Sequence, residues 1–256
     1  MIIELSYQKN CRDLGGLKTL EGKKIKNKRL FRSGHLHRVS EQDIELLKNL
    51  KITDIVDFRS EKEFIHKGNV ILEGVTYHNF PTLANDGSSQ EKGSNEDSNL
   101  LSFMGKERNG FVYMTNLYAQ IVTSEVGIKC YQDFFSLLEQ ENKVVLFNCS
   151  QGKDRTGIAA YLLCYALGVV KADLMDDYLF TNIAMKQKIR ELTPYFLKQK
   201  GTDESMLPSL YDVFSAKREY IESALKAIRD NYGSVDSYLE NVLHVDREKL
   251  KKLYLE

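Results

Sequence analysis

The chain has 256 residues, of which 42% are hydrophobic and 28% are charged. These proportions allow a substantial core and exclude collagen, coiled coils and wholesale disorder. Thirty-six basic residues balance thirty-six acidic ones, which argues against a protein that mainly coats nucleic acid or an anionic membrane. Four widely spaced cysteines predict reduced thiols, and the lack of a signal-like or membrane-length apolar run predicts a cytoplasmic protein without an integral membrane segment.

Basic residues are concentrated at the front of the chain. Residues 1–38 hold ten Lys or Arg and three acidic residues, a net charge of +7. Two interpretations remain open for this segment. It forms either a solvated basic face or part of a pocket that binds an anion.

Helix and strand signals alternate along the chain and are followed by a helical tail. Capping pairs at Ser40 with Asp43 and at Ser60 with Glu63 precede predicted helices. Short β-branched runs predict strands. In chain order we predict a helix at 41–50, a strand at 52–58, a helix at 60–66, a strand at 75–80, helices at 111–123 and 127–140, a strand at 143–148, a helix at 155–167, and helical stretches at 178–185, 189–197 and 220–228.

This order predicts an α/β fold, in which helices flank a parallel-rich central sheet and a helical part follows. Residues 84–99 contain no large apolar side chain, so we predict a mobile loop there. The sequence between the elements shows no linker that would divide the chain. We therefore expect a single domain over residues 1–256.

The most informative segment runs from Asn148 to Gly157, between a predicted apolar strand and an apolar helix. Backbone N–H groups and the positive end of a helix dipole meet at such a junction, which favours a bound phosphate. A nucleotide-binding Walker loop is excluded because Phe147 and Asp154 occupy two of its required positions. Cys149 is followed six residues later by Arg155. A thiol in this setting ionises readily, and a guanidinium matches two phosphate oxygens.

The segment from Cys149 to Gly157 resembles the signature of cysteine-dependent protein tyrosine phosphatases, in the form found in atypical bacterial tyrosine/serine phosphatases. Further blocks of that family are similar to segments spread over the chain: Asn10–Gly16, Phe31–Gly34, Asp57–Ser60, Asp177–Leu179 and Tyr238–Leu239. The resemblance spans residues 10–254 apart from the polar loop, and it is most specific in the signature loop. It implies a tyrosine-phosphatase-like fold.

The resemblance also implies roles for individual residues. Cys149 would attack phosphorus, Arg155 would bind the phosphoryl oxygens, and Thr156 would hydrogen-bond the sulfur. Asp154 is the first choice for the general acid, ahead of Asp57 and then Asp86, although Asp154 could instead pair with an arginine. The expected substrate-binding residues are Ser150, Gln151, Gly152, Lys153, Arg12, Arg32 and Arg59.

Several of these roles have an alternative that the sequence leaves open. Lys153 faces the phosphate, a second anionic group or solvent. The three arginines either line the pocket or form structural ion pairs. The family usually has His before the nucleophile, where this chain has Asn148. Asparagine can hydrogen-bond but cannot carry charge, so Cys149 is expected to be less readily ionised than in relatives.

These observations predict a phosphomonoester hydrolase that acts on phosphotyrosine, with phosphoserine, phosphothreonine and phosphoinositides as further candidates. The expected partners are a phosphoprotein or phosphoinositide substrate and a phosphate ion in the loop, without nucleic acid, metal or cofactor. Asn148 leaves open a catalytically weak phosphate-binding module. A rhodanese-type sulfurtransferase ranks third, because its loop generally differs in length.

Overall fold

A five-stranded sheet lies at the centre of the computed structural model, which describes residues 1–83, 109–198 and 202–256. The strand order is β1-β2-β5-β3-β4, with β1 antiparallel to β2 and all other neighbours parallel. The predicted parallel-rich α/β sheet is therefore confirmed. The strands are β1 Arg12–Asp13, β2 Leu30–Gly34, β3 Asp54–Asp57, β4 Thr76–Asn79 and β5 Val145–Cys149.

Helices flank the sheet and make up the C-terminal part of the described chain. They are α1 Glu41–Asn49, α2 Glu61–His66, α3 Asn109–Thr123, α4 Glu125–Leu138, α5 Arg155–Ala166, α6 Lys171–Leu197, α7 Leu207–Phe214, α8 Arg218–Tyr232, α9 Val235–Ser237 and α10 Arg247–Tyr254. A 3-10 turn at Glu204–Met206 precedes α7, and a π-helical segment at Tyr238–Val242 follows α9. No helix in these described ranges is long and apolar enough to cross a bilayer.

The core lies on both faces of the sheet. Every residue of β5 is buried: Val145 and Phe147 pack into the larger apolar cluster, and Leu146 packs into a second cluster on the other face. A strand covered on both faces is expected to be apolar along its whole length. The core thus fixes β5, and with it the position of Cys149 at its end.

Most predicted elements are confirmed, including the capping boxes at Ser40 and Ser60. One prediction needs correction. Residues 178–185 and 189–197 belong to one helix, α6, which contains Pro194 in its last turn. The sequence also did not predict β2, because the run Leu30–Gly34 contains Arg32, a residue type that is rarely buried. The predicted loop at 84–99 lies outside the described residues.

Candidate active site

The signature loop connects the end of β5 to the start of α5. Cys149 is the last residue of the strand, and Arg155 is the first residue of the helix. Gly152 has a φ of +67°, and a Cβ at this position would lie 2.5 Å from the carbonyl carbon of Ser33 on β2. Glycine is required here because a side chain would prevent the loop from curling so closely against β2.

Backbone N–H groups of the loop have no hydrogen-bond partner within the described protein. Those of Gln151, Gly152 and Lys153 donate to none of the residues that the structure describes. They lie directly before α5, whose N-terminus carries the positive end of the helix dipole. Such groups provide hydrogen-bond donors for the oxygens of a tetrahedral anion.

Arg155 is held by Glu63, a residue of α2. Its Nη1 donates to Glu63 Oε2 at 2.7 Å, and its Nη2 donates to Oε1 at 2.9 Å. Burial opposes ionisation of Glu63, but the charge of Arg155 and the hydrogen bonds outweigh burial and lower the pKa of Glu63 well below its usual range. The guanidinium is therefore fixed and charged. Its Nε donates to no described residue.

Ser150 completes this cluster. Its Oγ donates to Glu63 Oε1 at 2.7 Å and accepts from Arg155 Nη2 at 3.0 Å. The hydroxyl of Tyr131 donates to the carbonyl oxygen of Arg155 at 3.0 Å. The predicted substrate-binding Ser150 thus lies beside the guanidinium and helps to orient it.

The sulfur-bearing end of β5 is enclosed. Cys149 is only 2% exposed, and its neighbour across the ladder on β2 is Gly34. Thr156 is also buried, and its Oγ1 has no hydrogen-bond partner among the described residues. The hydrogen bond that we expected from Thr156 to the sulfur is therefore not formed in this structure.

Asp154 is positioned by a tyrosine pair. The hydroxyl of Tyr118 donates to Asp154 Oδ1 at 2.7 Å and lies 2.7 Å from the hydroxyl of Tyr178. Burial, followed by the charge of Asp154, raises the pKa of Tyr118 well above its ordinary value, so Tyr118 remains a hydrogen-bond donor. Asp154 Oδ2 accepts from none of the described residues. One carboxylate oxygen is thus anchored, and the other has no partner among the described residues.

Lys153 turns away from the loop. Its Nζ donates to the carbonyl oxygens of Val213 and Ser215, the latter at 3.1 Å, and lies 3.1 Å from Asp154 Oδ1. These carbonyls end α7, where the helix dipole favours a positive charge. In this structure the buried ammonium therefore faces the carbonyl end of α7, which is none of the three alternatives that the sequence left open. It fastens α7 to the loop instead.

Arg12 and Arg32 lie beneath the loop and share one acid, Asp177 of α6. Arg12 Nε donates to Asp177 Oδ1 at 2.7 Å, and Arg32 Nη1 donates to Oδ2. Burial opposes ionisation of Asp177, but the two arginines outweigh it and lower its pKa. Arg32 Nη2 donates to the carbonyl of Gly152 at 2.9 Å. Of the two alternatives for these arginines, structural ion pairing is therefore the one that this structure displays.

Arg59 belongs to a second buried network. Its side chain forms a two-pronged pair with Asp57, with Nη2 to Oδ2 at 2.6 Å. Asn69 Nδ2 donates to the same Oδ2 at 2.9 Å. In the amide orientation that satisfies its neighbours, Asn148 donates to Asp57 at 3.2 Å and accepts from Asn69 at 3.3 Å. Both oxygens of Asp57 are engaged in this network, which leaves Asp57 poorly placed to act as the general acid.

Gln151 accepts hydrogen bonds from two distant parts of the chain. Its carbonyl accepts from Asn10 Nδ2 at 3.0 Å, and its Oε1 accepts from Lys188 Nζ at 2.6 Å. Its side chain therefore points toward α6, and its contribution to an anion site is its backbone N–H.

Sequence reasoning missed three residues of this arrangement. Glu63 was interpreted only as a helix-capping residue, Asp177 only as part of a family block, and Tyr118 only as part of a predicted helix. No local signal linked Glu63 to Arg155, because the two residues are 92 positions apart in the chain. Groups of His, Cys, Asp and Glu that could bind a metal are absent from the described residues.

Known proteins are similar in sequence to this chain over nearly its whole length. A family model described as the tyrosine phosphatase family matches residues 3–256. A protein of Cupriavidus necator named as a tyrosine-protein phosphatase is 30% identical over 248 residues, which cover 96% of this chain and 85% of that protein. The triple specificity protein phosphatase PtpB of Mycobacterium tuberculosis is 28% identical, with 93% of this chain and 92% of that protein covered.

A solved structure is similar at lower identity. P. aeruginosa TpbA in complex with pTyr is 16% identical, with 73% of this chain and 90% of that chain covered and a TM-score of 0.31. The family assignment does not depend on it, because the family model spans almost the entire sequence. The chain belongs to the tyrosine phosphatase family and is a protein phosphatase.

Proposed function

We propose that this phosphatase hydrolyses phosphotyrosine through a cysteinyl-phosphate intermediate on Cys149. The observation that carries the proposal is the geometry of the loop. The N–H groups of residues 151–153, which have no partner among the described residues, lie between the nucleophile and a fixed guanidinium. Preorganised donors of this kind are the largest catalytic contribution in most enzymes, because they need no rearrangement as charge develops.

In the first step the thiolate of Cys149 attacks phosphorus, and the bond between phosphorus and the ester oxygen breaks. The loop N–H groups and Arg155 Nε bind the three equatorial oxygens. Asp154 gives its proton to the departing oxygen from Oδ2, while Tyr118 holds Oδ1. A positioned acid contributes about 10²–10⁴-fold to such a step.

In the second step water attacks the phosphorus of the cysteinyl-phosphate. Asp154 accepts a proton from this water, the sulfur–phosphorus bond breaks, and the thiolate and inorganic phosphate are released. Thr156 supports this step because its buried hydroxyl, which has no partner in the described protein, can donate to the departing sulfur. The cycle consumes water alone and regenerates the enzyme.

We extend the proposal to phosphoserine, phosphothreonine and phosphoinositides as secondary substrates. Support comes from the relative named as a triple specificity phosphatase, which matches 93% of this chain. A panel that compares a phosphotyrosine peptide, a phosphoserine peptide and a phosphoinositide under the same conditions tests this extension.

The main test is turnover of para-nitrophenyl phosphate by the wild type and by Cys149→Ser. We expect activity in the wild type and none in the variant. Cys130→Ser is the matched control, because Cys130 is equally buried but donates to the carbonyl of Phe80 and lies outside the loop. Phosphopeptide binding without turnover by the wild type would instead identify a phosphate-binding module, the alternative that Asn148 suggests.

A further inference from the structure

Tyr178 of α6 packs against the first turn of α5, directly after the signature loop. It is 0% exposed, and a Cβ at Gly157 would lie 3.0 Å from its ring carbon Cδ2. The ring therefore fills the space that a side chain at residue 157 would need. Asp177, the preceding residue of α6, binds Arg12 of β1 and Arg32 of β2. The turn of α6 that carries Tyr178 is thus fastened to the sheet.

Tyr178, Tyr118 and Asp154 form a chain of hydrogen bonds, which we call the hydroxyl chain. The hydroxyl of Tyr118 donates to Asp154 Oδ1 at 2.7 Å and lies 2.7 Å from the hydroxyl of Tyr178. A tyrosine hydroxyl carries a single proton. Because Tyr118 gives its proton to the bond with Asp154, the proton between the two tyrosines belongs to Tyr178. Tyr178 is therefore the donor to Tyr118.

The far end of the hydroxyl chain fixes this direction. The backbone N–H of Lys217, the N-cap residue of α8, forms a hydrogen bond with the Tyr178 hydroxyl. A backbone N–H can only donate, so the Tyr178 oxygen accepts there and its own proton is directed to Tyr118. Burial, followed by the charge of Asp154, raises the pKa of Tyr178. Tyr178 therefore keeps this proton at neutral pH.

The near end of the hydroxyl chain meets one particular oxygen of Asp154. Lys153 Nζ lies 3.1 Å from the same Oδ1, and an ammonium can also only donate. A proton on Oδ1 would face two donors, Lys153 and the Tyr118 hydroxyl. Oδ2, in contrast, accepts from none of the described residues. The arrangement therefore favours Oδ2 as the oxygen that carries the proton of the acid.

We propose that Tyr178 is a positioning residue for the general acid, because it holds Tyr118 as a donor and thereby keeps the transferable proton on Asp154 Oδ2. The inference rests on the proposed function, in which Asp154 is the acid. Tyr178 acts through Tyr118, since its hydroxyl contacts that of Tyr118. Without the Tyr178 hydroxyl, the Tyr118 oxygen loses its donor and can accept a proton from Oδ1. Part of the enzyme would then carry its proton on the anchored oxygen, where it cannot reach the leaving group.

The test compares kcat/KM of the wild type and of Tyr178→Phe for phenyl phosphate and para-nitrophenyl phosphate. Phenolate is the more basic leaving group and depends more on the acid. We expect Tyr178→Phe to slow phenyl phosphate by about five-fold, the size of one ordinary hydrogen bond, and para-nitrophenyl phosphate by less than about two-fold. The variant that combines Tyr118→Phe with Tyr178→Phe should be no slower than Tyr118→Phe alone.

Tyr254→Phe is the matched control, because it removes the same atom from another buried tyrosine. Tyr254 is 2% exposed, and its hydroxyl donates to the carbonyl of Leu138 at 2.9 Å. This variant should keep the wild-type ratio of the two esters. Thermal unfolding should show that both variants are folded, since phenylalanine retains the ring and its packing.

The proposal is overturned if Tyr178→Phe slows both esters equally or leaves both unchanged. It is also overturned if Tyr178→Phe slows phenyl phosphate by the same factor with and without Tyr118→Phe, because Tyr178 would then not act through Tyr118. These outcomes leave the proposed function intact. Absence of turnover of either ester by the wild type would refute the proposed function itself.

Discussion

Arg32 and Arg155 contact the same loop from different sides and have different roles. The side chain of Arg32 is 0% exposed and binds Asp177 and the carbonyl of Gly152, on the underside of the loop. The side chain of Arg155 is 13% exposed and binds Glu63, beside the loop's N–H groups. An arginine that meets carbonyls supports the loop, whereas an arginine beside unpaired donors can bind the substrate.

The two aspartates that were candidates for the general acid, Asp57 and Asp154, differ in the same way as the two arginines. Asp57 gives both oxygens to Arg59 and its buried neighbours, while Asp154 keeps Oδ2 free of described partners. The comparison therefore separates a scaffold beneath the loop from a reactive surface above it. Substitutions beneath the loop should mainly reduce the stability of the fold, and substitutions above it should mainly reduce catalytic activity.

The largest expected effect is on stability, from Arg32→Met. Removal of Arg32 leaves Asp177 with a single arginine and the Gly152 carbonyl with Asn10 Nδ2 as its remaining donor. Breaking a buried ion pair costs about 3–5 kcal/mol. Urea unfolding measures this loss. Lys129→Met is the control: it breaks an exposed pair with Asp133 and should cost less than about 1 kcal/mol. Equal losses would show that Arg32 does not act as a scaffold.

Arg155→Lys should mainly reduce the rate of catalysis. Lysine keeps the charge but loses the planar fork, and we expect kcat/KM for para-nitrophenyl phosphate to fall by about 10²–10³-fold. The loss of unfolding free energy should be smaller than for Arg32→Met. If the activity of Arg155→Lys remained within a few-fold of the wild type, Arg155 would not be the group that binds the phosphoryl oxygens.

The reduction in turnover caused by Asp154→Asn should depend on the basicity of the leaving group. A phosphoserine peptide releases a strongly basic alkoxide, so loss of the acid should slow its turnover by about 10²-fold. Para-nitrophenyl phosphate releases a weakly basic oxygen and should be affected less. Tyr118→Phe, which removes the hydrogen bond to Oδ1 and the contact with the Tyr178 hydroxyl but keeps the carboxylate, should show a weaker form of the same pattern. Equal slowing of both substrates by Asp154→Asn would argue against its role as the acid.

The smallest effect concerns Glu63. Its pKa is lowered in the folded state, so its contribution to stability is complete above the unfolded value of about 4.3 and is lost as pH falls below it. We expect Glu63→Gln to cost about 1–2 kcal/mol at pH 7 and to reduce the loss of stability on acidification. Chemical unfolding between pH 7 and pH 3 measures both. Glu61→Gln on the same helix, at an exposed position, should leave the pH dependence unchanged.

The sequence predicted the signature loop and three of the sheet's strands because each carries a local signal. β3 and β4 lie within runs that contain β-branched residues, and β5 lies within an apolar run. The spacing of Cys149 and Arg155 identified the loop. The sequence could not predict β2, because its buried Arg32 is tolerated only when Asp177 arrives from a helix 145 residues away. Pairings across such separations leave no local pattern.

The lack of a local signal for distant pairings also explains why the contacts within the site could not be predicted. Lys153 was expected at the phosphate or in solvent, but its partners are carbonyls of α7, some sixty residues later in the chain. Glu63 could not be assigned to Arg155 because its position in a capping box already accounted for it. Residue types and spacing predicted which chemistry is present. Which charged groups support the loop and which face the substrate depended on tertiary contacts.

The most direct test of the account is to quench the wild-type enzyme in acid during turnover and to locate bound phosphate by peptide mass spectrometry. The account predicts phosphate on the peptide that contains Cys149, attached to its sulfur and absent when substrate is omitted. Full turnover with no phosphorylated enzyme under rapid quenching, or phosphate on any other residue, would contradict the central role of Cys149.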